Sequence, residues 1–400
     1  MEVLGVVIFV VALLLSVMLH ETGHFVMAKK FGMKATRYFV GFGPTIWSTW
    51  RGETEYGIKA LPLGGFVKII GMHSLDDIED PADEPRSFRQ QPAWQRIIVL
   101  CAGSFMHFLL AFLLIAGLAL GVGIANENTT QLGTISACVS PNVTALDNGV
   151  ACTASDQASP AKLAGLRVGD QVTAFNGRHF GNWTQLGDAI RAAPVGSAAT
   201  ITVLRAGQTL TLHTTLASVS GRSGAYLGVA PGVVFQTASP ARAVTYAGSL
   251  FGQVVVGSVQ AVAALPGALH DLFNKKKRAD TVGGQVTSIY GAAAATGDEV
   301  ASNQGWQYKV SFVLLLIASL NIFVGAFNML PLLPLDGGHV AAVIWERIRA
   351  WFAHLRGRPD PGMVDMAKLL PVSFSIFMVV MVFGLILVAA DIVNPLNIAG

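Results

Sequence analysis

The sequence predicts a polytopic α-helical membrane protein with four transmembrane helices, a membrane-associated β-hairpin and one inserted extracytoplasmic α+β domain. Three observations predict it. The 400 residues are 52% hydrophobic and only 13% charged, with a mean hydropathy of +0.54, whereas soluble domains carry about twice that charge. Four apolar runs, Val3 to Met27, Ile97 to Ile124, Val310 to Leu330 and Leu369 to Ala390, reach the ~20 residues that a helix needs to cross a hydrocarbon core. Between the second and third runs lies a long stretch of short, glycine-punctuated segments that reads as a folded domain.

The first span occupies residues 1–30. It lacks a basic leader and a small-residue cleavage site, and reads as a retained helix. Near its end stand His20, Glu21 and His24, an HExxH pattern. Four residues of α-helix turn the chain by about 400° and advance it about 6 Å. Both imidazoles therefore share one face, as two ligands of a tetrahedral zinc require. Glu21 is placed beside them to take a proton from the attacking water as general base. So short a pattern also occurs by chance in soluble proteins, but ionisable side chains inside an apolar span are costly and mark function.

Residues 31–96 form the next connection. Lys29, Lys30, Lys34 and Arg37 follow the first span and Arg86, Arg89 and Arg96 precede the second, which places this segment on the cytoplasmic side. Within it, "ETEYGIKALPLGGFVKI" (53–69) alternates partly and is broken by Pro-Leu-Gly-Gly, reading as a hairpin that dips toward the site. The second span covers 97–124, with Cys101 as a packed thiol.

The inserted domain covers 130–218. Its order is a short helix, a "GLRVGD" turn, a strand, an Asn-Gly turn, a second helix and two strands. "LGT" (132–134) is a weak candidate for a peptide-carboxylate loop. Cys138 and Cys152 fall in the oxidising compartment at a spacing that suits a disulfide, two free thiols being the alternative.

Residues 219–307 read as an outer linker. Ala243 to Leu269 has no charge and precedes "NKKKR" (274–278), so it is either a fifth span or an amphipathic helix on the outer surface. The third span, 308–340, ends in "FNMLPLLPLDGGH" (327–339). There Pro331 and Pro334 break the helix, Gly337 and Gly338 permit close approach, and Asp336 is the candidate third ligand, with His339 weaker. A helix end capped by Asp336 is the plainer reading. If 243–269 crossed the bilayer, Asp336 would lie about 30 Å from the histidines. Four spans fit, and the segment becomes a surface helix. A cytoplasmic loop, 341–368, carries Arg347, Arg349, Arg356, Arg358 and Lys368, and the fourth span covers 369–392. Both termini and the inserted domain then face outward.

Taken together, "HETGH" (20–24), "FGP" (42–44), "LPLGGFVKIIGM" (61–72) and "NMLPLLPLDGG" (328–338) resemble the site-2 protease family of intramembrane zinc metalloproteases. They occur in the family's order over most of the chain. "SPAKLAGLRVGDQVTAFNGRHF" (159–180) resembles the core of bacterial protease PDZ domains, and a single such domain in about 400 residues looks most like the actinobacterial members. The resemblance implies Zn2+ held by His20, His24 and Asp336, with Glu21 as catalytic base; His339 matches no ligand position. It implies a membrane-associated β-loop that receives unwound substrate by β-addition, with Asn328, Gly64 and Gly65 as candidate substrate contacts. Asn328 could equally satisfy the broken helix of its own chain, and Asn321 reads as a packing residue. The resemblance further implies transmembrane substrates of the anti-sigma-factor type, first clipped by a site-1 protease, or remnant signal peptides, with the PDZ domain as a gate or size filter and no nucleic acid. Gln285 departs from the family's "GGPVGI" and puts any role of 282–293 in doubt. His73, His107, His179, His213, His270 and His354 have no motif context and read as ordinary residues.

Two other functions share the motif. A membrane-bound metalloprotease cutting exposed loops commonly takes a downstream glutamate as third ligand, which "LDGG" argues against. A zinc transporter or zinc-binding scaffold would not need Glu21 beside the metal.

Overall fold

Glu2–Lys30 is free of proline and forms a helix, α1, that stays apolar for most of its length and ends in Lys29 and Lys30. The structure is a computed structural model and describes residues 1–72, 78, 80–139, 152, 156–219, 223–268, 273, 287–333, 335–364 and 370–394. It divides into two compact units, a helical unit of 1–120 with 239–400 and an inserted domain of 121–238. His73, His270, Gln285, Pro334, Lys368 and the basic run 274–278 lie outside the described residues.

Strands β1 (Ala35–Arg51) and β2 (Thr54–Ile69) follow α1. The hairpin expected over 53–69 is larger than that stretch, which forms only its second strand. Gly52, at φ 62°, makes the turn, and the register pairs Arg51 with Thr54 and Thr49 with Tyr56. Arg37 to Val40 then pair with both Glu55 to Ile58 and Gly65 to Lys68. The long strands thus double back, and the Pro-Leu-Gly-Gly break is the bend that allows it. Glu53, at the turn, accepts from Arg86 Nη1 and Nη2 at 2.7 and 2.8 Å and from Lys29 Nζ at 2.5 Å, tying the turn to the end of α1. The Arg86 guanidinium, more than the lysine, holds the Glu53 carboxyl down at about 2. Helix α2 (Ala93–Gly121) completes this half of the unit.

In the inserted domain, β3 (Ile124–Asn126), β4 (Leu132–Ile135), β5 (Cys138–Val139) and β6 (Gln157–Ala158) precede a one-turn helix α3 (Pro160–Leu163). Ser159 caps α3 by accepting from Lys162 N. Strand β7 (Gln171–Phe175), β8 (Arg178–His179), helix α4 (Trp183–Ala192), β9 (Ala198–Arg205) and β10 (Gln208–Thr215) follow, with a four-stranded sheet ordered β10-β9-β7-β8. The expected Asn-Gly turn joins β7 to β8, with Asn176 and Gly177 at φ 50° and 78°. Leu132, Leu186, Ile201 and Leu216 fill the core between the sheet and α4. Cys138 and Cys152 are bridged, with their Cα atoms 6.0 Å apart. β11 (Val229–Pro231) and β12 (Val234–Gln236) pair with β4 and β3, so the domain runs past the expected limit of 218. "LGT" is therefore a paired strand. The domain's groove, about 480 Å³, lies between α4 and residues 223–231.

The chain then re-enters the helical unit through α5 (Pro240–Ala268), α6 (Ile289–Ala301), α7 (Trp306–Asn328), α8 (Asp336–Leu355) and α9 (Leu370–Val393). Among the described residues four helices, α1, α2, α7 and α9, are long and apolar enough to cross a membrane, and α5 is not one of them. Yet α5 is no outer-surface helix. Ala247 clusters with Ala111 and Ile115 of α2 and with Ala318 and Ile322 of α7, and Phe251 meets Phe108 edge to face. It therefore runs along the flank of the bundle. Two further helices were not expected: α6, which packs on the N-terminal half of α1 where Gly5 abuts Thr296, and α8, which occupies much of the expected loop 341–368. Ser288 caps α6, and its N–H donates to Asp391 of α9 at 2.7 Å.

Candidate metal centre

The centre forms where α1, α2 and the start of α8 meet. His20 and His24 lie one turn apart on the buried side of α1. A side chain at Gly23 would put its Cβ 2.4 Å from Ala102 O, and one at Gly103 would stand 2.4 Å from His24 Nε2 and 2.5 Å from His20 Cε1. Helix α2 thus presses its bare backbone against the imidazoles. Val99 O lies 2.7 Å from His24 Nδ1; as a carbonyl can only accept, Nδ1 carries the proton and Nε2 keeps its lone pair.

The third residue arrives by a tight loop. After α7, residues 329–333 pass so close to the start of α8 that a Cβ at Gly337 would lie 2.3 Å from Met329 O and one at Gly338 2.7 Å from the Leu332 carbonyl carbon. Asp336 opens α8, where the helix dipole favours a carboxylate. Its Oδ2 stands 3.3 Å from Nε2 of both histidines, and those two nitrogens are 3.1 Å apart. A tetrahedral zinc with ~2.0–2.1 Å bonds requires ligand atoms ~3.3 Å apart. Asp336 Oδ2 and His20 Nδ1 are also buried without a hydrogen bond. Two imidazoles and a carboxylate converging at these distances fit a zinc ion that leaves its fourth position open. His339 is not part of this group.

Glu21 points to the neighbouring sheet. Its Oε2 accepts from Val67 N at 3.1 Å, and a Cβ at Gly65 would lie 3.6 Å from its Cγ. Thr22 Oγ1 and Tyr38 OH, 2.8 Å apart, fasten the sheet to the same helix. The stretch Gly65 to Lys68 pairs with Arg37 to Val40 on one edge and presents Val67 N–H to Glu21 on the other. Gly64, at φ 142°, lies next to Phe42, and half-buried Asn328 closes α7.

His107 belongs to the centre's surroundings, contrary to its reading as an ordinary residue. Its ring centroid is 5.0 Å from that of His20, and its Nδ1 lies 2.7 Å from Asn321 Oδ1. Asn321 Nδ2 donates to Ser16 Oγ at 3.0 Å and to Ile317 O at 2.8 Å, linking α2, α7 and α1. The rule that singled out His20, a titratable side chain inside an apolar span, applies equally to His107. Asn321 packs as expected.

The sequence profile of peptidase family M50 matches residues 8–359. The chain belongs to peptidase family M50. It is similar to the zinc metalloprotease Rip1 of Mycolicibacterium smegmatis, at 37% identity over 99% of this chain and 98% of that protein. Rip1 of Mycobacterium tuberculosis strain H37Rv is 35% identical over 100% of this chain and 99% of its own. One solved structure, the PDZ domain of the SdrC-like protein of Listeria monocytogenes, aligns with 26% of this chain and 90% of its own at 19% identity. Its TM-score of 0.18 is too low to carry an argument. As an M50 member the chain is a site-2-type zinc metalloprotease of the membrane, as expected from its motifs.

Proposed function

We propose that His20, His24 and Asp336 hold the zinc, that Glu21 is the general base, and that the enzyme hydrolyses peptide bonds of single-span membrane proteins within the bilayer. The observation that supports this best is the convergence of three ligand atoms beside Glu21 and beside an edge strand. When bound, zinc polarises the scissile carbonyl and acidifies water. Glu21 takes the proton from the attacking water on its carboxylate and delivers it to the leaving amine. A transmembrane helix hides its amides in its own hydrogen bonds, so it must unwind first. The edge at Gly65 to Lys68, with Gly64 just before it, receives the unwound strand by β-addition, and Asn328 at the end of α7 is a further candidate substrate contact.

Substrates of the anti-sigma-factor type, already shortened outside by a site-1 protease, suit a PDZ-like inserted domain acting as a size filter. In this reading both termini and the inserted domain face outward, and the centre lies toward the cytoplasmic side, where Lys29 and Lys30 close α1 and Arg96 stands in the first turn of α2. Purified Glu21→Ala is expected to keep its zinc and to lose cleavage of a tagged single-span substrate by about 10²–10⁴-fold. Undiminished cleavage by that variant would falsify the mechanism, and cleavage restricted to exposed loops would exclude the substrate class.

A further inference from the structure

Helix α8 has a second face that the metal centre does not use. Its buried side carries Val340 and Val343, which cluster with Ala28, Met33, Val99 and Leu100 at the basic ends of α1 and α2. On that side too, Glu346 accepts from Arg96 Nη2 at 2.5 Å and from Val364 N at 2.9 Å. The opposite side is apolar and uncovered: Ile344, Trp345, Ile348, Trp351, Phe352 and Leu355 are all exposed, Trp351 at 59% and Leu355 at 62%. At about 100° per residue these six fall within an arc of about 120°. Arg347 lies about 40° beyond one border and Arg356 about 20° beyond the other, with Glu346 on the far side. Arg347, Arg356 and Arg358 are exposed.

An apolar arc with tryptophans, flanked on both borders by arginines and cleared of acidic side chains, is the pattern of a helix lying in the headgroup region of an anionic membrane. Trp94, exposed at the start of α2 and edge-on to Phe31, is another exposed aromatic, beside the end of α1. We infer that α8 is an interfacial helix seated in an anionic leaflet, and that its seating sets the depth of Asp336 at its first turn. This rests on the reading of α1, α2, α7 and α9 as spans.

The test uses the full-length protein in vesicles, with Cys101→Ser so that each added cysteine is the sole free thiol beside the Cys138–Cys152 bridge. A nitroxide is placed at Trp345→Cys, Phe352→Cys, His354→Cys or Val379→Cys, the last on the exposed face of α9. Collision with oxygen, which concentrates in lipid, is compared with collision with a water-soluble nickel complex. Labels at 345 and 352 are expected to favour oxygen, as at 379, and the label at 354 to favour nickel. Nickel preference at 345 and 352 with oxygen preference kept at 379 overturns the inference while sparing the spans. Shielding from both reagents overturns it in favour of a protein partner. Loss of oxygen preference at 379 as well removes the spans and the inference together. Each arginine near an anionic surface favours seating by about fivefold. Replacing Arg347, Arg356 and Arg358 by Gln should therefore lower the oxygen-to-nickel ratio at 352 by about twofold or more when phosphatidylglycerol is present. It should leave the ratio unchanged in pure phosphatidylcholine. An equal fall in both lipids, or none in either, overturns the anionic assignment.

Discussion

In the helical unit, large side chains such as Phe374, Val379 and Leu385 point outward while Ser16, His107 and Asn321 are buried; in the inserted domain Leu132, Leu186 and Ile201 are inside. The first arrangement suits lipid, which accepts apolar surface and punishes unpaired polar groups. Helices then gain little from burying more leucine, and approach through glycine backbone and shared polar side chains instead. Gly23 on Ala102 and Gly103 on the imidazoles are contacts of this kind at the centre. The inserted domain relies on an apolar core, a disulfide and a buried charge, Asp170, held by Arg205 at 2.7 Å. Close backbone contact occurs in both units, since a Cβ at Gly224 would lie 2.4 Å from Arg191 O, but in the helical unit it presses on the imidazoles of the metal centre.

The strongest way to break this contrast is a pair of glycine substitutions. Gly103→Ala places a methyl on His24 Nε2, whereas a Cβ at exposed Gly181 meets nothing within 4 Å. Gly103→Ala should lose most bound zinc, measured by elemental analysis, and about a hundredfold or more of activity, the scale at which a misplacement of about 1 Å acts. Gly181→Ala should change neither. Equal tolerance of both would remove the distinction.

Arg205→Ala probes the inserted domain. Burial pushes the Asp170 carboxyl up, but the bonds from Arg205 and from the Arg167 N–H outweigh it and leave the group below its usual value. A depressed carboxylate contributes stability that is full above its unfolded pKa and is lost as pH falls through the folded value. Removing the guanidinium should cost about 1.5–3 kcal/mol. Because the variant no longer holds that carboxyl down, the difference in domain stability between it and the wild type should shrink as pH falls through the wild-type value. Hydrogen exchange of β7 and β9 in the full-length protein would show it, and zinc content should not move.

The smallest effect is expected at Asn321→Leu. Interhelical hydrogen bonds in membranes are worth about 0.6 kcal/mol on average, so the bundle should weaken only slightly. Zinc affinity should fall more than stability, because His107 loses the partner that holds it against His20. Unchanged affinity in a chelator competition would reduce the network to packing.

These contrasts bear on what the sequence made legible. His20, Glu21 and His24 were readable because a helix puts i and i+4 on one face, and Asp336 because the two histidines needed a partner at their own membrane level. The Cys138–Cys152 bridge and the Asn176–Gly177 turn followed from local chemistry. The doubling back of β1 and β2 was not readable, since Arg37 to Val40 gain two sets of partners only after the chain bends at the Pro-Leu-Gly-Gly segment. Helix α8 is hidden in the sequence although Ile344, Ile348, Trp351 and Leu355 recur at helical spacing, because its arginines also fit the topogenic charge of a cytoplasmic loop. The flank position of α5 depends on Phe251 meeting Phe108, a contact between residues more than a hundred positions apart.

Gly23 stands between the two histidines of α1, where the HExxH pattern itself leaves the residue open and where the backbone of α2 leaves no room for a Cβ. Every missense change at its codon adds at least that atom. In the language of genetics, the most vulnerable codons of this enzyme then include one outside the proposed ligand set, and a screen for null alleles should return it beside those of His20, His24 and Asp336.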